Sequence, residues 1–300
     1  MFNPVRAIQQ RWKKLNRRMN KVSLEQIKKD IANLPINKGD TVFVHSALSS
    51  LGYFDFDPER LIELLLDKVG TEGNLLMPGF PINGYTIDYL KANPVFDVQK
   101  TPSRMGMFTE KFRTKFKAER SLHPSHSVLA VGPLAKEITA EHHLSPNPFG
   151  THSPFYKFLQ LKNSKVLGLG TTIFPFTVFR VYESMNYESY PVQVFNEEKM
   201  DTEIIDRDGK RFFYTTFVHN PQASNLRRNM LFENYFIKKG MLKKYKTGRT
   251  DSYLLSAGEF LKEMEENYKQ GNLPYLGHYR DFELNKVDQS RLFKKTDAEA

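Results

Sequence analysis

The sequence predicts an α/β fold: a sheet core with helices on its faces, followed by an antiparallel hairpin in the C-terminal third. Three observations predict it. From about residue 23 to residue 170, short β-branched or aromatic runs alternate with stretches of helical spacing. Helix-start signals fall where those helical stretches begin. Asp208-Gly209, a turn pair that favours positive φ, separates two alternating segments.

Taken in order, Ser23-Leu24-Glu25-Gln26 reads as a capping box opening a helix to about Leu34. Lys38-Gly39-Asp40 turns the chain into Thr41-Val42-Phe43-Val44-His45, a run suited to a buried strand. Asp57-Pro58 starts a helix through Lys68, with Pro at its first position. A strand is expected over 74–77, a helix over 105–117, a strand over 127–131, helices over 133–141 and 153–161, and a strand over 165–169. Strands then follow over 192–195, 202–206 and 211–217, the last two joined at Asp208-Gly209. A helix over 223–239 stops at Gly240, and Ser256-Ala257-Gly258-Glu259 opens another that ends at Gly271. The residues after about Arg291 are expected to fray. With no Pro-, Gly- or Ser-rich linker and no internal repeat, residues 23–300 read as one domain preceded by a basic extension, residues 1–22.

Composition narrows the chemistry. With 300 residues and 40% hydrophobic content, the chain can bury a sizeable core. It has no Cys, so disulfides, thiolate metal sites and a Cys nucleophile are excluded. No run approaches the roughly 20 apolar residues that span a bilayer, and the start lacks the apolar core of a secretory signal, so a cytoplasmic location is expected. The net charge of +10 is concentrated in Arg6, Arg11, Lys13, Lys14, Arg17, Arg18 and Lys21. Val5, Ile8, Trp12, Leu15 and Met19 recur among them at helical spacing. Residues 1–21 therefore read either as a helix on an anionic inner-membrane surface or as a helix packed on the protein or a second subunit. No nucleic-acid motif accompanies the charge.

Six segments could carry chemistry. Val44-His45-Ser46-Ala47-Leu48-Ser49-Ser50-Leu51-Gly52 leaves a strand end with hydroxyls and backbone N–H groups that suit a pyrophosphate, or that cap a helix. It lacks the Gly-Lys-Ser/Thr of a Walker loop. Arg120-Ser121-Leu122-His123-Pro124-Ser125-His126-Ser127-Val128 offers His123 and His126 as acid/base groups with hydroxyl partners. A metal pair is not expected there, for want of a third ligand and a helical spacing. His142-His143 is a further pair, in a loop. Ser153-Pro154 caps a helix whose N-terminus could receive an anion or an acyl oxygen. The strand Lys165-Val166-Leu167-Gly168-Leu169 runs into Gly170-Thr171-Thr172, where glycine permits close approach to a ligand. Arg180 and Glu183, three apart on the next helix, read by themselves as a salt bridge.

In this order the segments resemble the family of aminoglycoside 3-N-acetyltransferases and their relatives in surface-sugar biosynthesis. The matching pieces are Gly39 through Leu48, Leu75-Leu76-Met77-Pro78, Arg120-Ser121 through His126-Ser127, Phe149-Gly150, Ser153-Pro154 and Val166-Leu167-Gly168-Leu169-Gly170, over roughly residues 22–190. The resemblance implies a three-layer α/β/α sandwich, here with a mixed sheet and the antiparallel C-terminal hairpin. It implies acetyl-CoA or another acyl-CoA as donor, no metal, and direct transfer in a ternary complex. It puts the loop His45, Ser46, Ser49 and Ser50 in the coenzyme A site, and Ser103, Ser153 and Thr171 along the cleft.

Such a reaction needs a base, because a sugar ammonium cannot attack a thioester until it loses a proton. A neutral His oriented by a carboxylate can take that proton, and an N–H or hydroxyl can stabilise the oxyanion. Here the sequence departs from the family pattern. The acid is kept as Glu183, but the His expected three residues earlier is Arg180, and Phe174, Pro175 and Phe176 replace polar residues. Arg stays protonated and cannot be the base. The candidates become His126, then His219, then His123. Arg180 instead suits an anion on the acceptor or the coenzyme.

Beyond Glu183, Glu188 and Glu197-Glu198, no acidic cluster suits a polycation. The expected function is therefore N-acylation of a nucleotide- or lipid-linked amino sugar in cell-surface polysaccharide synthesis. The alternatives are aminoglycoside modification in antibiotic resistance, a coenzyme A-binding protein without catalysis, and a peripheral membrane anchor.

Overall fold

The computed structural model describes residues 19–275. The expected helix of residues 1–21, apart from its last three residues, and the segment after Arg291 lie outside them. The strands are β1 (Lys21–Val22), β2 (Thr41–Ser46), β3 (Tyr53–Phe54), β4 (Asn74–Pro78), β5 (Val95–Asp97), β6 (Glu119–Arg120), β7 (Val128–Val131), β8 (Ser164–Leu169), β9 (Phe195–Ile205), β10 (Arg211–His219), β11 (Leu242–Thr247) and β12 (Thr250–Ser256).

Seven of them form one mixed sheet in the order β11-β12-β8-β2-β4-β7-β6. At its centre β2 runs parallel to both β8 and β4, while β7 and β12 run antiparallel to their neighbours. Side chains of period 2 sort the core to two faces. Val42, Val44, Leu75, Met77, Leu129, Leu167 and Leu169 pack in one buried cluster, with Ile27 and Ile31 of helix Leu24–Ala32 and Leu61, Ile62 and Leu65 of helix Glu59–Val69. Phe43, Leu76, Val128, Ala130 and Val166 pack in the other, with Phe155 and Phe158 of helix Pro154–Leu159, Phe179 of helix Phe179–Met185 and Phe260 of helix Phe260–Lys269. Each such buried side chain contributes roughly 1.5–3 kcal/mol relative to exposure. A one-residue slip of β2 would exchange its two faces, which fixes the register.

The expected helices and strands up to residue 169 form within a few residues of the expected bounds. Ser23 caps its helix, accepting from the Gln26 N–H at 3.2 Å, but the Gln26 side chain turns forward to Asp30 rather than back to the cap. The hairpin also forms, with Gly209 at φ +81°. Its β9 begins at Phe195, so the expected strand over 192–195 is only the approach to it. β9 pairs on its other edge with β5, a short strand that the sequence reading passed over.

Two further expectations need correction. The single helix over 223–239 is three pieces, Pro221–Leu226, a 3-10 turn Asn229–Phe232 and Glu233–Lys238. Arg227 breaks it with an extended backbone, φ −65° and ψ 134°, and there Arg228 N donates to the Pro274 carbonyl. Ser256 does not cap the last helix; it ends β12, and the hairpin of β11 and β12, which matches none of the expected elements, completes the sheet edge. Among the described residues no helix is long and apolar enough to cross a membrane.

Candidate active site

The segments that follow the parallel-sheet strands β4 and β8 meet at one cleft, as strand ends in such sheets do. Gly168 in β8 shapes the first wall. A Cβ there would lie 2.7 Å from the Thr171 carbonyl and 2.9 Å from the Phe176 ring. Its absence lets the loop 171–177 fold back over the strand. Phe176 then stacks on His45 at 5.6 Å, and His45 stacks on Phe43 at 5.1 Å. The His45 ring lies 3.4 Å from the Thr177 hydroxyl, and burial lowers its pKa to about 3, so it is neutral.

A buried arginine fixes the opposite wall. Arg120 donates to the Gly79 carbonyl at 2.6 Å, to the Ser127 hydroxyl at 3.0 Å and to the carbonyls of Val98 and Thr101. It thereby ties the end of β4 to the loop that carries Arg104, whose N–H donates to the Phe80 carbonyl at 2.8 Å. Burial is the main cause that lowers the Arg120 pKa, to about 9, which leaves it a cation at neutral pH.

Between these walls lies a cavity of about 380 Å³, bounded by Phe80, Met105, His126, Phe176 and Thr177. Its charged lining consists of Arg104, Arg180 and Arg227. An adjoining hollow of about 320 Å³, reached past Tyr85 and Thr86, shares His126 and Arg180 with it and adds His219.

The three imidazoles expected as bases differ sharply in what they can do. His123 is fully buried, and its Nδ1 accepts from the N–H groups of His126 (3.1 Å) and Ser125 (3.3 Å). Its lone pair is therefore in use, and Nε2 faces the Thr216 hydroxyl at 3.4 Å. His123 holds the loop and is withdrawn from the cleft. His126 is next to it, with Nδ1 2.8 Å from the Ser125 hydroxyl. Its ring is enclosed by Phe80, Phe149 and His219. Nε2 of His126 has no hydrogen-bond partner among the described residues, and the ring lines both hollows. His219 is buried with neither ring nitrogen hydrogen-bonded among the described residues. Burial first, then the charge of Arg180, holds both His126 and His219 well below the usual range, so each is a neutral acceptor. His142 is structural, bonded to the Ser121 hydroxyl and the Pro148 carbonyl.

Glu183 does not face an imidazole. It is 1% exposed and pairs with Arg227, while the Tyr275 hydroxyl donates to it at 2.5 Å. The expected surface pair of Glu183 with Arg180 is thus replaced by a buried pair with a residue 44 positions away. Burial alone would lower the Arg227 pKa, but Glu183 and Tyr275 raise it above the ordinary value. Arg180 has no hydrogen bond or ion pair among the described residues, and its guanidinium lies 6.0 Å from the Phe149 ring. Burial and the neighbouring Arg227 lower its pKa to about 10.

The other expected residues are dispersed. Ser49 and Ser50 are exposed on the short helix Leu48–Leu51, Ser46 is half-buried at the end of β2, and none of the three lines the cavity. Ser103 is buried, accepting from the Met105 N–H at 3.3 Å, and so steadies the turn that presents Arg104 and Met105. Ser153 caps helix Pro154–Leu159 by accepting from the Tyr156 N–H at 3.2 Å, with no exposed surface. Thr171 is half-buried in the loop after β8. Arg104, Thr177 and Arg227 were missed by the sequence reading. Arg227 had been assigned to a helix interior, where nothing distinguishes it from a solvated charge.

Residues 43–269 match the family model for aminoglycoside 3-N-acetyltransferase. The chain is 28% identical over 269 residues to aminoglycoside N(3)-acetyltransferase IX of Micromonospora chalcea, covering 81% of this chain and 92% of that one. It is 31% identical over 175 residues to the prophage-derived aminoglycoside N(3')-acetyltransferase-like protein YokD of Bacillus subtilis, covering 53% of this chain and 64% of that one. The crystal structure of YokD superposes with a TM-score of 0.64 at 26% identity, over 83% of this chain and 95% of that one. The coenzyme A complex of AAC-IIIb shares the fold with a TM-score of 0.66 at 21% identity, over 82% and 97% of the two chains.

Proposed function

The chain belongs to the aminoglycoside 3-N-acetyltransferase family, and on that premise we propose that it transfers an acetyl or similar acyl group from coenzyme A to an amino group of an amino sugar, directly and within a ternary complex. The observation that carries the reading is His126: a neutral imidazole that lines a cavity beyond the ends of β4 and β8 and whose Nε2 has no hydrogen-bond partner among the described residues.

Transfer requires a C–N bond to form at the thioester carbon as the C–S bond breaks, with one proton leaving the attacking amine. In the proposed mechanism His126 Nε2 accepts that proton, directly or through one water. Ser125, on the other ring nitrogen, sets the orientation of the imidazole. Phe80, Phe149 and Phe176 exclude bulk water from the reacting groups, and the Thr177 hydroxyl, in the same lining, is a neutral donor for a developing oxyanion. Acyl-CoA is a co-substrate here, and the coenzyme A complex of a fold relative supports that donor.

The relatives are named for aminoglycosides. They favour an aminoglycoside-type acceptor over the nucleotide- or lipid-linked sugar expected from the sequence, and none of them supports a role in polysaccharide synthesis. One observation favours an acidic acceptor within the amino-sugar class, namely a cleft with three arginines in its lining and no carboxylate. Thiol release from acetyl-CoA tests the activity itself, since a chain without Cys contributes no background. Release with aminoglycosides or simpler amino sugars, with the acetamide identified by mass, is the expected result. Silence with every amine would overturn the reading.

A further inference from the structure

The charge in the cleft is unbalanced. Of its three arginines only Arg227 has a carboxylate partner, Glu183. Arg180 and Arg104 have none among the described residues, and no Asp or Glu lines either hollow. Arg104 is exposed and Arg180 partly exposed at this cavity, so both present positive charge that a bound anion would neutralise. Arg227 provides the independent sign. It is 6% exposed, yet its Nε and Nη1 have no hydrogen-bond partner, although its Nη2 is bonded to Glu183 and Tyr275. Asn229 Oδ1, in the same lining, and both ring nitrogens of His219, in the adjoining hollow, are also unpartnered. Buried polar atoms left open in a native structure call for a partner. Of these atoms the guanidinium nitrogens are the donors suited to a tetrahedral or planar oxyanion, whereas Asn229 Oδ1 only accepts.

We propose that Arg180 and Arg104, beside the pinned Arg227, form an oxyanion seat for a phosphate or carboxylate carried by the acceptor, so that the substrate is an acidic amino sugar. The inference rests on the acyl-transfer reading above and deepens it. Glu183 pins Arg227 in place and is thereby a positioning residue. The imidazole that would collect the proton is supplied from the loop carrying His126, and position 180 is left free to bind charge. A polycationic acceptor would instead bring ammonium groups against two unneutralised guanidiniums.

The test compares glucosamine, glucosamine 1-phosphate, glucosamine 6-phosphate and kanamycin as acceptors, in the unaltered protein and in Arg180→Gln and Arg104→Gln variants whose melting temperatures are checked first. The seat predicts at least a tenfold higher kcat/KM for a phosphorylated glucosamine than for glucosamine, and at least a tenfold fall of that ratio in Arg180→Gln. The coenzyme's own phosphates are the other source of an oxyanion, and acetyl-dephospho-CoA separates the two. If Arg180→Gln changes the preference for acetyl-CoA over acetyl-dephospho-CoA and leaves the acceptor ratio alone, the proposal is overturned. Turnover of kanamycin with no phosphate preference overturns it too, while leaving acyl transfer intact. Silence with all four acceptors contradicts acyl transfer instead. Calorimetry then still reads the seat, which requires glucosamine 6-phosphate to bind the unaltered protein at least tenfold more tightly than it binds Arg180→Gln.

Discussion

His126 owes its character to its surroundings. Its pKa is held well below the ordinary value, chiefly by burial and then by Arg180, so the imidazole is neutral across the working range and gains no protonation limb near pH 6.5. The acid side of the pH–rate profile is therefore expected to follow the acceptor's amine. With two acceptors of different amine pKa, the limb in kcat/KM should move with the acceptor, and a limb fixed between pH 6 and 7 for both would contradict the assignment. His126 was legible in the sequence because a His among hydroxyls just before a strand is a recognisable arrangement. Its separation from His123 was not. Both occur in the same motif, and only the backbone N–H groups donating to His123 Nδ1 tell them apart. Arg227 was illegible for a related reason: its meaning lies in Glu183 and Tyr275, distant in the chain.

At the level of elements, two contacts hold the cleft together. The first is the approach of the 171–177 loop to β8. Gly168→Ala places a methyl 2.7 Å from a backbone carbonyl, which cannot give way as a flexible side chain would. It is expected to cost about 1–3 kcal/mol of stability and to raise the KM for substrate, read by denaturant unfolding and steady-state kinetics. The second is the pin between helix Phe179–Met185 and the break at Arg227. Glu183→Gln leaves Arg227 buried without a counter-charge, an effect of about 3–5 kcal/mol for pairs of this kind. A substantial fall in melting temperature is the expected outcome, and unchanged stability with lost activity would restore Glu183 to a purely chemical role. Element types were legible wherever periodicity was long, as in β2 and helix Glu59–Val69. The broken helix over 221–238 was not, because the break serves a tertiary ion pair that no local signal announces. The β11–β12 hairpin was missed because its lysine-rich first strand, Leu-Lys-Lys-Tyr-Lys-Thr, lies at the sheet edge and lacks an apolar run.

For the molecule as a whole, the buried histidines couple stability to pH. His45 and His142 are lowered to about 3 by burial, and His123, His126 and His219 lie well below the ordinary range for the same first cause. The unfolded chain takes up protons near pH 6.5 that the folded chain refuses. Stability is therefore full above that pH and is lost as the pH falls toward 3, by up to about 1.4 kcal/mol per pH unit for each such histidine. Melting temperatures measured from pH 8 down to pH 5 should be flat and then decline below about pH 6.5, whereas a rise on acidification would contradict the burial of these rings. The α/β class and the hairpin were readable from alternation and turn chemistry, and the mixed sheet was what the family resemblance implied. The electropositive cleft was not, since its arginines come from three separate segments.

The central claim is that His126, rather than any residue at position 180, removes the proton from the attacking amine. Thiol release by a His126→Gln variant, measured with saturating acetyl-CoA and the best acceptor of the panel, tests it most directly. The account predicts a fall in kcat of about 10²–10⁴ with a melting temperature close to that of the unaltered protein. A folded variant that keeps its kcat within a factor of about ten would contradict it, because a general base contributes more than that.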